Sequence, residues 1–181
     1  RRGIAMSDPV DGRLLVVETR DGGLSWNELP ESQLPESAEG EAAFAASNGS
    51  IAVAPGGQAW IGTGGTQSSS SRLYYRSARA QEFKAPPCPL NSGPASGIFA
   101  LAWQPAVADA QSLLIAVGGD YRENTKADIG KFSGDAQSVA AVWSPNSGRT
   151  WLAAQTPPLA FRSSVIFIPG NISSTVRLIT T

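Results

Sequence analysis

The chain contains no histidine and a single cysteine, Cys88, among its 181 residues. Without histidine there is no Ser-His-Asp or Cys-His arrangement and no His-ligated zinc. One thiol closes no internal disulfide and builds no cysteine-rich metal site. Cys88 lies in Pro86-Pro87-Cys88-Pro89 and reads as a small buried or loop residue. Charge is scarce and balanced: charged residues make up 16% of the chain and the formal net charge is −1. That balance gives no electrostatic pull toward nucleic acid or an anionic membrane. No apolar run reaches the ~18 residues of a membrane-spanning helix, and no signal-peptide pattern opens the segment. Neither GxGxxG nor GxxxxGK[ST] occurs, so no nucleotide-cofactor motif is present. No metal site and no cofactor are expected.

Turn formers and short apolar runs are abundant. Glycine (19) and proline (13) break a sequence that is 41% apolar, too apolar for a disordered chain. No segment keeps a helical period. The glutamate-rich stretch Leu29–Ala42 has room for a helical turn, but Pro30 and Pro35 favour a connecting loop.

Internal repeats organise the chain. Thr19-Arg20-Asp21-Gly22-Gly23-Leu24-Ser25-Trp26 fits the pattern S/T-x-D-x-G-x-T/S-W, and Ser144-Pro145-Asn146-Ser147-Gly148-Arg149-Thr150-Trp151 fits it with Asn for Asp. Arg76–Phe83 is a decayed copy that keeps a serine and the final aromatic. The aromatic ends fall at intervals of 57 and 68 residues. A second series runs Gly3–Asp8, Ala59–Gly65 and Ile115–Asp120, and a third runs Phe44–Ser47, Ile98–Trp103 and Ser164–Ile168. The unit therefore reads as four strands. A is Ala43–Val53, B is Ala59–Thr63, C is Arg72–Ser77 and D is Glu82–Ala85. The next unit has A at Gly97–Gln104, B at Leu113–Gly118, C at Ser138–Ser144 and D at Trp151–Gln155.

Repeated four-strand units predict an all-β fold, a β-propeller of four-stranded antiparallel blades. The blade pieces fall at about 1–30, 41–90, 96–159 and 160–181, forming one partial propeller domain over 1–181. The first piece begins at strand B, and the last holds an A strand, Phe161–Ile168, and a short run Val176–Ile179. Closing the last A strand onto the first B–C–D set leaves only three blades, so the expectation is a fragment of a six- or seven-bladed ring.

The repeated motif has a local logic. The Asp21 carboxylate can accept hydrogen bonds from N–H groups of its own turn. Gly23 permits a positive φ, and Trp26 can pack between neighbouring strands. Asn146, Gly148 and Trp151 repeat the arrangement without the charge, opened by Ser144 as Thr19 opens the first. These residues describe a turn, and a lone carboxylate among turn glycines lacks the partners of a metal or catalytic site.

On these residues the chain resembles the Asp-box (BNR-type) β-propellers related to the photosystem II stability and assembly factor and its bacterial relatives. The resemblance runs over nearly the whole chain, including Gly3–Pro9, Thr19–Trp26, Glu41–Ser47, Ala59–Gly65, Ser96–Leu101, Val117–Tyr121 and Phe161–Val165. It implies an exported, seven-bladed propeller without catalysis, acting as a binding or scaffold protein. Sialidases share the blade, and a sialidase-like glycoside hydrolase is the alternative it implies. That chemistry needs three arginines, a Tyr–Glu pair and an acid. Phe161-Arg162-Ser163-Ser164 is only a partial echo of the Phe-Arg-Ile-Pro motif, and Tyr74 and Tyr75 sit inside a strand.

A binding surface is expected where the B–C loops meet the segments leading into strand A. The loops are Ser7–Arg13, Thr63–Arg72 and Gly118–Gln137, the last carrying Glu123 and Lys126. A loop of roughly twenty residues exceeds the usual length and is functional or disordered. Asp8, Glu41, Asp120, Tyr121, Arg122 and Arg162 are the candidate polar patch at a channel mouth. Its expected partner is a protein or a small polar or carbohydrate ligand.

Overall fold

The computed structural model describes residues 1–44, 48–68, 70–106, 112–122, 139–156, 158, 161–168 and 178–180. These residues form antiparallel sheets, with no α-helix among them and two short 3-10 turns, at Glu31–Gln33 and Asn48–Ser50. No helix among the described residues is long and apolar enough to cross a membrane.

Sheet I runs β1 (Gly3–Val10), β2 (Arg13–Thr19), β3 (Asn27–Glu28). Sheet II runs β4 (Ile51–Val53), β5 (Ala59–Gly62), β6 (Leu73–Arg76). Sheet III runs β7 (Ser96–Gln104), β8 (Leu113–Asp120), β9 (Ala141–Ser144), β10 (Leu152–Ala153). Sheet IV pairs β11 (Val165–Phe167) with β12 (Leu178–Thr180). Within each sheet every strand pairs with the next along the chain, so each sheet is a meander built from local hairpins. In sheet II the place of a fourth strand is held by one bridge, Tyr75 to Lys84.

The strands fall where the apolar runs predict, but several are shorter than expected: the strand expected over Phe161–Ile168 is β11, Val165–Phe167, and the one expected over Glu82–Ala85 is a single bridge at Lys84. The strand expected over Ala43–Val53 shrinks to β4, because Phe44 takes a φ of +48° and Asn48–Ser50 wind into a 3-10 turn. Neither geometry continues an extended strand. The loop expected over Ser7–Arg13 is instead a tight hairpin. β1 continues to Val10, and the two turn residues, Asp11 at φ +50° and Gly12 at φ +76°, supply the double positive φ of a type I′ turn. Ser138 of the expected strand over Ser138–Ser144 and most of the Gly118–Gln137 loop, Glu123 and Lys126 included, lie outside the described residues, as does the start of the run Val176–Ile179, whose Leu178 and Ile179 belong to β12.

Alternation along the strands puts side chains on both faces of each sheet, and successive sheets share them. Leu14 and Val16 of sheet I pack with Ile61 and Tyr74 of sheet II. On the other face of sheet II, Trp60, Leu73 and Tyr75 pack with Ile98, Leu101, Leu114, Ala116, Val142 and Trp151 of sheet III. The far face of sheet III places Ala100, Ile115, Val117 and Ala141 against Val165 and Phe167. A strand covered on both sides reads as a continuous apolar run, and every residue of β5 and β6 is buried. The register shift between Ile98 and Ala100 in β7 inserts Phe99 as a bulge, so Ile98 and Leu101 face one neighbour while Ala100 faces the other.

One link recurs between sheets. Ala43 N–H donates to Asp8 Oδ1 at 2.8 Å, Ile98 N–H to the Thr63 carbonyl at 3.2 Å and Arg162 N–H to the Gly118 carbonyl at 2.9 Å. The donor lies in or ahead of β4, β7 or β11, and the acceptor in or just after β1, β5 or β8. Gly64 sits at the middle crossing and bridges both Ala42 and Gly97. A Cβ on Gly64 would fall 2.4 Å from the Gly97 Cα and 2.4 Å from the Ser96 carbonyl oxygen, so only glycine lets the two backbones approach this closely.

Candidate functional site

The two motif turns are superposable in their hydrogen bonds. In the first, Thr19 Oγ1 donates to Asp21 Oδ1 (2.8 Å) and accepts from Gly23 N–H (2.9 Å), while Ser25 N–H donates to Asp21 Oδ1 (3.0 Å). In the second, Ser144 Oγ donates to Asn146 Oδ1 (3.1 Å) and accepts from Gly148 N–H (2.8 Å), while Thr150 N–H donates to Asn146 Oδ1 (2.9 Å). Each turn is also tied to the residues just ahead of a strand of its own sheet: Gly22 N–H donates to the Arg1 carbonyl, ahead of β1, and Ser147 N–H to the Ser112 carbonyl, ahead of β8, both at 3.0 Å. The one reversal is chemical. Ser25 Oγ donates to the Asp21 carboxylate at 2.6 Å, whereas the Asn146 amide donates to Thr150 Oγ1 at 2.8 Å. The Ser25 hydroxyl, then the Ser25 N–H and the Thr19 hydroxyl, hold the Asp21 carboxyl well below the usual carboxylate range.

Positive φ at Gly22, Gly23, Ser147 and Gly148 closes both turns. Their surroundings differ. Trp151 is buried against sheet II, and the Trp60 indole N–H donates to the Ser147 carbonyl at 3.1 Å. Trp26, expected to pack between strands, is 48% exposed. It precedes β3, with its ring beside Gly3.

The six expected patch residues separate into different environments. Glu41 is no rim residue. Its carboxylate is buried between sheets I and II and takes hydrogen bonds from Thr63 Oγ1 (2.5 Å), Tyr74 Oη (3.0 Å), Arg72 (3.0 Å) and Ala38 N–H (2.7 Å). Burial, then the Glu41 charge, pushes the Tyr74 phenol far above its ordinary value. Asp8 is spent on the Ala43 amide; the register shift between Met6 and Pro9 sets Ser7 and Asp8 together opposite Leu15 and turns Asp8 out of the ladder. Arg162 donates its side chain to the Phe161 carbonyl at 2.7 Å.

Asp120, Tyr121 and Arg122 do come together. The Arg122 guanidinium forks onto both Asp120 oxygens, from Nε at 2.9 and 3.2 Å and also from Nη2. The Arg122 hydrogen bonds hold Asp120 below the usual carboxylate range. Tyr121 is half exposed, with its ring edge-on to Phe99 at 6.1 Å. Phe99 also stacks on Phe44 at 4.2 Å and meets Phe161 edge-on at 4.7 Å.

Sequence reasoning missed this aromatic cluster. Its four members come from the ends of three repeats, and no spacing within one repeat points to it. It also missed the buried pair of Arg76 and Glu18, which joins sheets I and II with Phe83 under the guanidinium at 4.9 Å.

Among the described residues the one tyrosine–glutamate contact is closed to a substrate. Tyr74 and Glu41 are adjacent, as a Tyr–Glu nucleophile would require, but Tyr74 is 2% exposed and its hydroxyl is held by Glu41 and by the Glu36 carbonyl. A nucleophile must reach its substrate, and this one lies between two sheets. Cys88 is buried as well, and burial pushes its thiol up to about 11, away from the reactive thiolate. Among the described residues no cluster of three acidic or cysteine side chains is placed to hold a metal ion.

Comparison with protein-family models, curated proteins and solved structures found no match to the chain.

Proposed function

We propose that the chain is a run of blades from an Asp-box β-propeller of the photosystem II assembly factor-like type, part of a six- or seven-bladed ring, and that it serves as a non-catalytic binding scaffold. The observation that carries this reading is the repetition of one sheet-to-sheet link three times along the chain, from Asp8 to Ala43, Thr63 to Ile98 and Gly118 to Arg162. A stack in which each sheet hands on to the next at the corresponding place, through a backbone carbonyl at Thr63 and Gly118 and through the carboxylate at Asp8, suits a propeller hub. The paired turns at Asp21 and Asn146 support the same repeat from the opposite edge of the sheets.

The binding surface in this reading is the hub end of sheets III and IV. There the Asp120–Arg122 fork and Tyr121 stand beside Phe99 and Phe161, with Arg162 following directly. An aromatic face beside a fixed ion pair suits a polar ligand with an apolar side, a sugar ring or a protein loop. Asp8 lies on the same series of links, and Glu41 belongs to the sheet interface. Export of the protein is part of this proposal.

The test is a glycan array probed with the wild-type chain and with the Asp120→Ala/Arg162→Ala double variant, together with turnover of a fluorogenic sialoside. Glycan capture lost in the double variant, with the β-sheet circular dichroism retained and no turnover, agrees with the reading. Sialoside hydrolysis by the wild-type chain contradicts it, and so does glycan binding that the double variant retains.

A further inference from the structure

A cavity lies beside the decayed turn of sheet II. Where the other two turns carry Asp21 and Asn146, the Arg76–Phe83 copy carries Ala78, so no side-chain acceptor draws this turn together. The strand that should follow is reduced to the bridge between Tyr75 and Lys84. Between this edge and the motif turn of sheet III lies a cavity of about 510 Å³, within the roughly 300–1,000 Å³ of small-molecule sites. None of the residues expected at the channel mouth lines it.

Three hydrogen-bond donors line this cavity. Tyr75 and Lys84 stand directly opposite each other in an antiparallel bridge, which puts their side chains on one face. Arg149 comes from the other wall, and its turn is held in place. The Ser147 carbonyl takes the Trp60 indole N–H at 3.1 Å, Gly148 lies against that indole with no room for a Cβ, and Trp60 stacks on Tyr75 at 5.9 Å. Lys84 and Arg149 are exposed and form no ion pair with any described residue. Tyr75 is only 9% exposed, yet among the described residues its hydroxyl has no hydrogen-bond partner, and that hydroxyl is not sealed from solvent. A buried phenol ordinarily finds a partner. The neighbouring Tyr74 finds Glu41 and the Glu36 carbonyl; Tyr75 has the cavity.

We propose that this cavity binds a monocarboxylate with an apolar body. Arg149, Lys84 and the Tyr75 hydroxyl hold the carboxylate, and Ala85 and Pro86 of the lining receive the apolar part. A guanidinium and an ammonium donating to one carboxylate make charge-assisted hydrogen bonds, roughly twice as strong as neutral ones. Glu82 also lines the cavity and repels a second negative charge, so the site selects a single carboxylate over a polyanion. The site stands on the geometry of sheets II and III and does not depend on the binding surface proposed above.

The probe is phenylacetate, with phenylacetamide as its uncharged counterpart. Titrated into the isotope-labelled chain, phenylacetate is expected to shift the amide resonances of Tyr75, Lys84 and Arg149 saturably, and phenylacetamide to bind about tenfold more weakly or less. Lys84→Gln and Arg149→Gln, both at exposed positions, each weaken phenylacetate binding about tenfold, and Tyr75→Phe weakens it about threefold. The near-ultraviolet circular dichroism of the buried Trp60 and Trp151 checks that each variant folds. The Asp120→Ala/Arg162→Ala variant binds phenylacetate as the wild type does. No saturable shift up to the solubility of phenylacetate overturns the proposal, as does equal binding of the amide or binding that Lys84→Gln and Arg149→Gln both retain. Binding lost in the Asp120→Ala/Arg162→Ala variant instead puts the probe at the hub end and overturns it too.

Discussion

At the scale of single residues, the motif turn works through one oxygen. Oδ1 of Asp21 or Asn146 takes the N–H four residues on and the hydroxyl two residues back, so an amide serves as well as a carboxylate. Charge adds a pH dependence. The folded Asp21 pKa lies below its unfolded value near 4. Its contribution is therefore present above that unfolded value and is lost as pH falls toward the folded one. Asp21→Asn is expected to leave neutral stability nearly unchanged and to remove part of the acid sensitivity. The stability difference between wild type and variant, followed by chemical denaturation from pH 7 down through pH 4, checks this; a pH-independent difference contradicts it. Trp60 has two separable contributions. Trp60→Phe loses the indole bond to Ser147 and is expected to cost about 1 kcal/mol. Trp60→Ala also empties a buried site shared by two sheets and is expected to cost about 4 kcal/mol. A Trp60→Phe variant as stable as the wild type in urea melts counts against the bond.

At the scale of elements, the interfaces between sheets hold more than apolar area. Glu41 is satisfied by two hydroxyls, a guanidinium and an amide, and Glu41→Ala strands these donors. Its loss is expected to cost about 3 kcal/mol. The Tyr74 phenol, raised in the folded state, gives an alkaline signature. The unfolded chain releases that proton above pH 10 while the folded chain keeps it, so stability falls as pH rises past 10. Tyr74→Phe flattens that fall if Tyr74 is its source, and an unchanged alkaline limb in the variant contradicts the assignment. Most of these elements were legible in the sequence. β7, β8 and β9 match their apolar runs to within a few residues, because largely buried strands announce themselves as apolar blocks; β10, exposed, was legible from the motif turn ahead of it. β4 was overdrawn, since a positive φ at Phe44 leaves no trace in composition. Asp11-Gly12 is a type I′ signal that went unread, and the long loop expected there is a two-residue turn. Glu41, assigned to a rim by its position ahead of a strand, was misplaced because its partners Thr63, Arg72 and Tyr74 lie 22 to 33 residues away.

At the scale of the whole molecule, the apolar pattern shows that sheets II and III are buried on both sides, and it does not show what joins the sheets. The joint is a row of links at Asp8, Thr63–Gly64 and Gly118, made by the carboxylate at Asp8 and by close backbone approach at the other two. If this row carries the stack, the sheets unfold together. A methyl group at Gly64 collides with the backbone of sheet III, and Gly64→Ala is expected to destabilise the chain by about 2 kcal/mol or more. The most direct measurement is native-state hydrogen exchange at the three linking amides, Ala43, Ile98 and Arg162. A shared hub predicts that the three exchange only through global opening, with protection equal to that of the β8 interior at Ala116. Exchange of these amides through separate local openings, while Ala116 stays protected, would contradict a hub and leave sheets packed side by side without one.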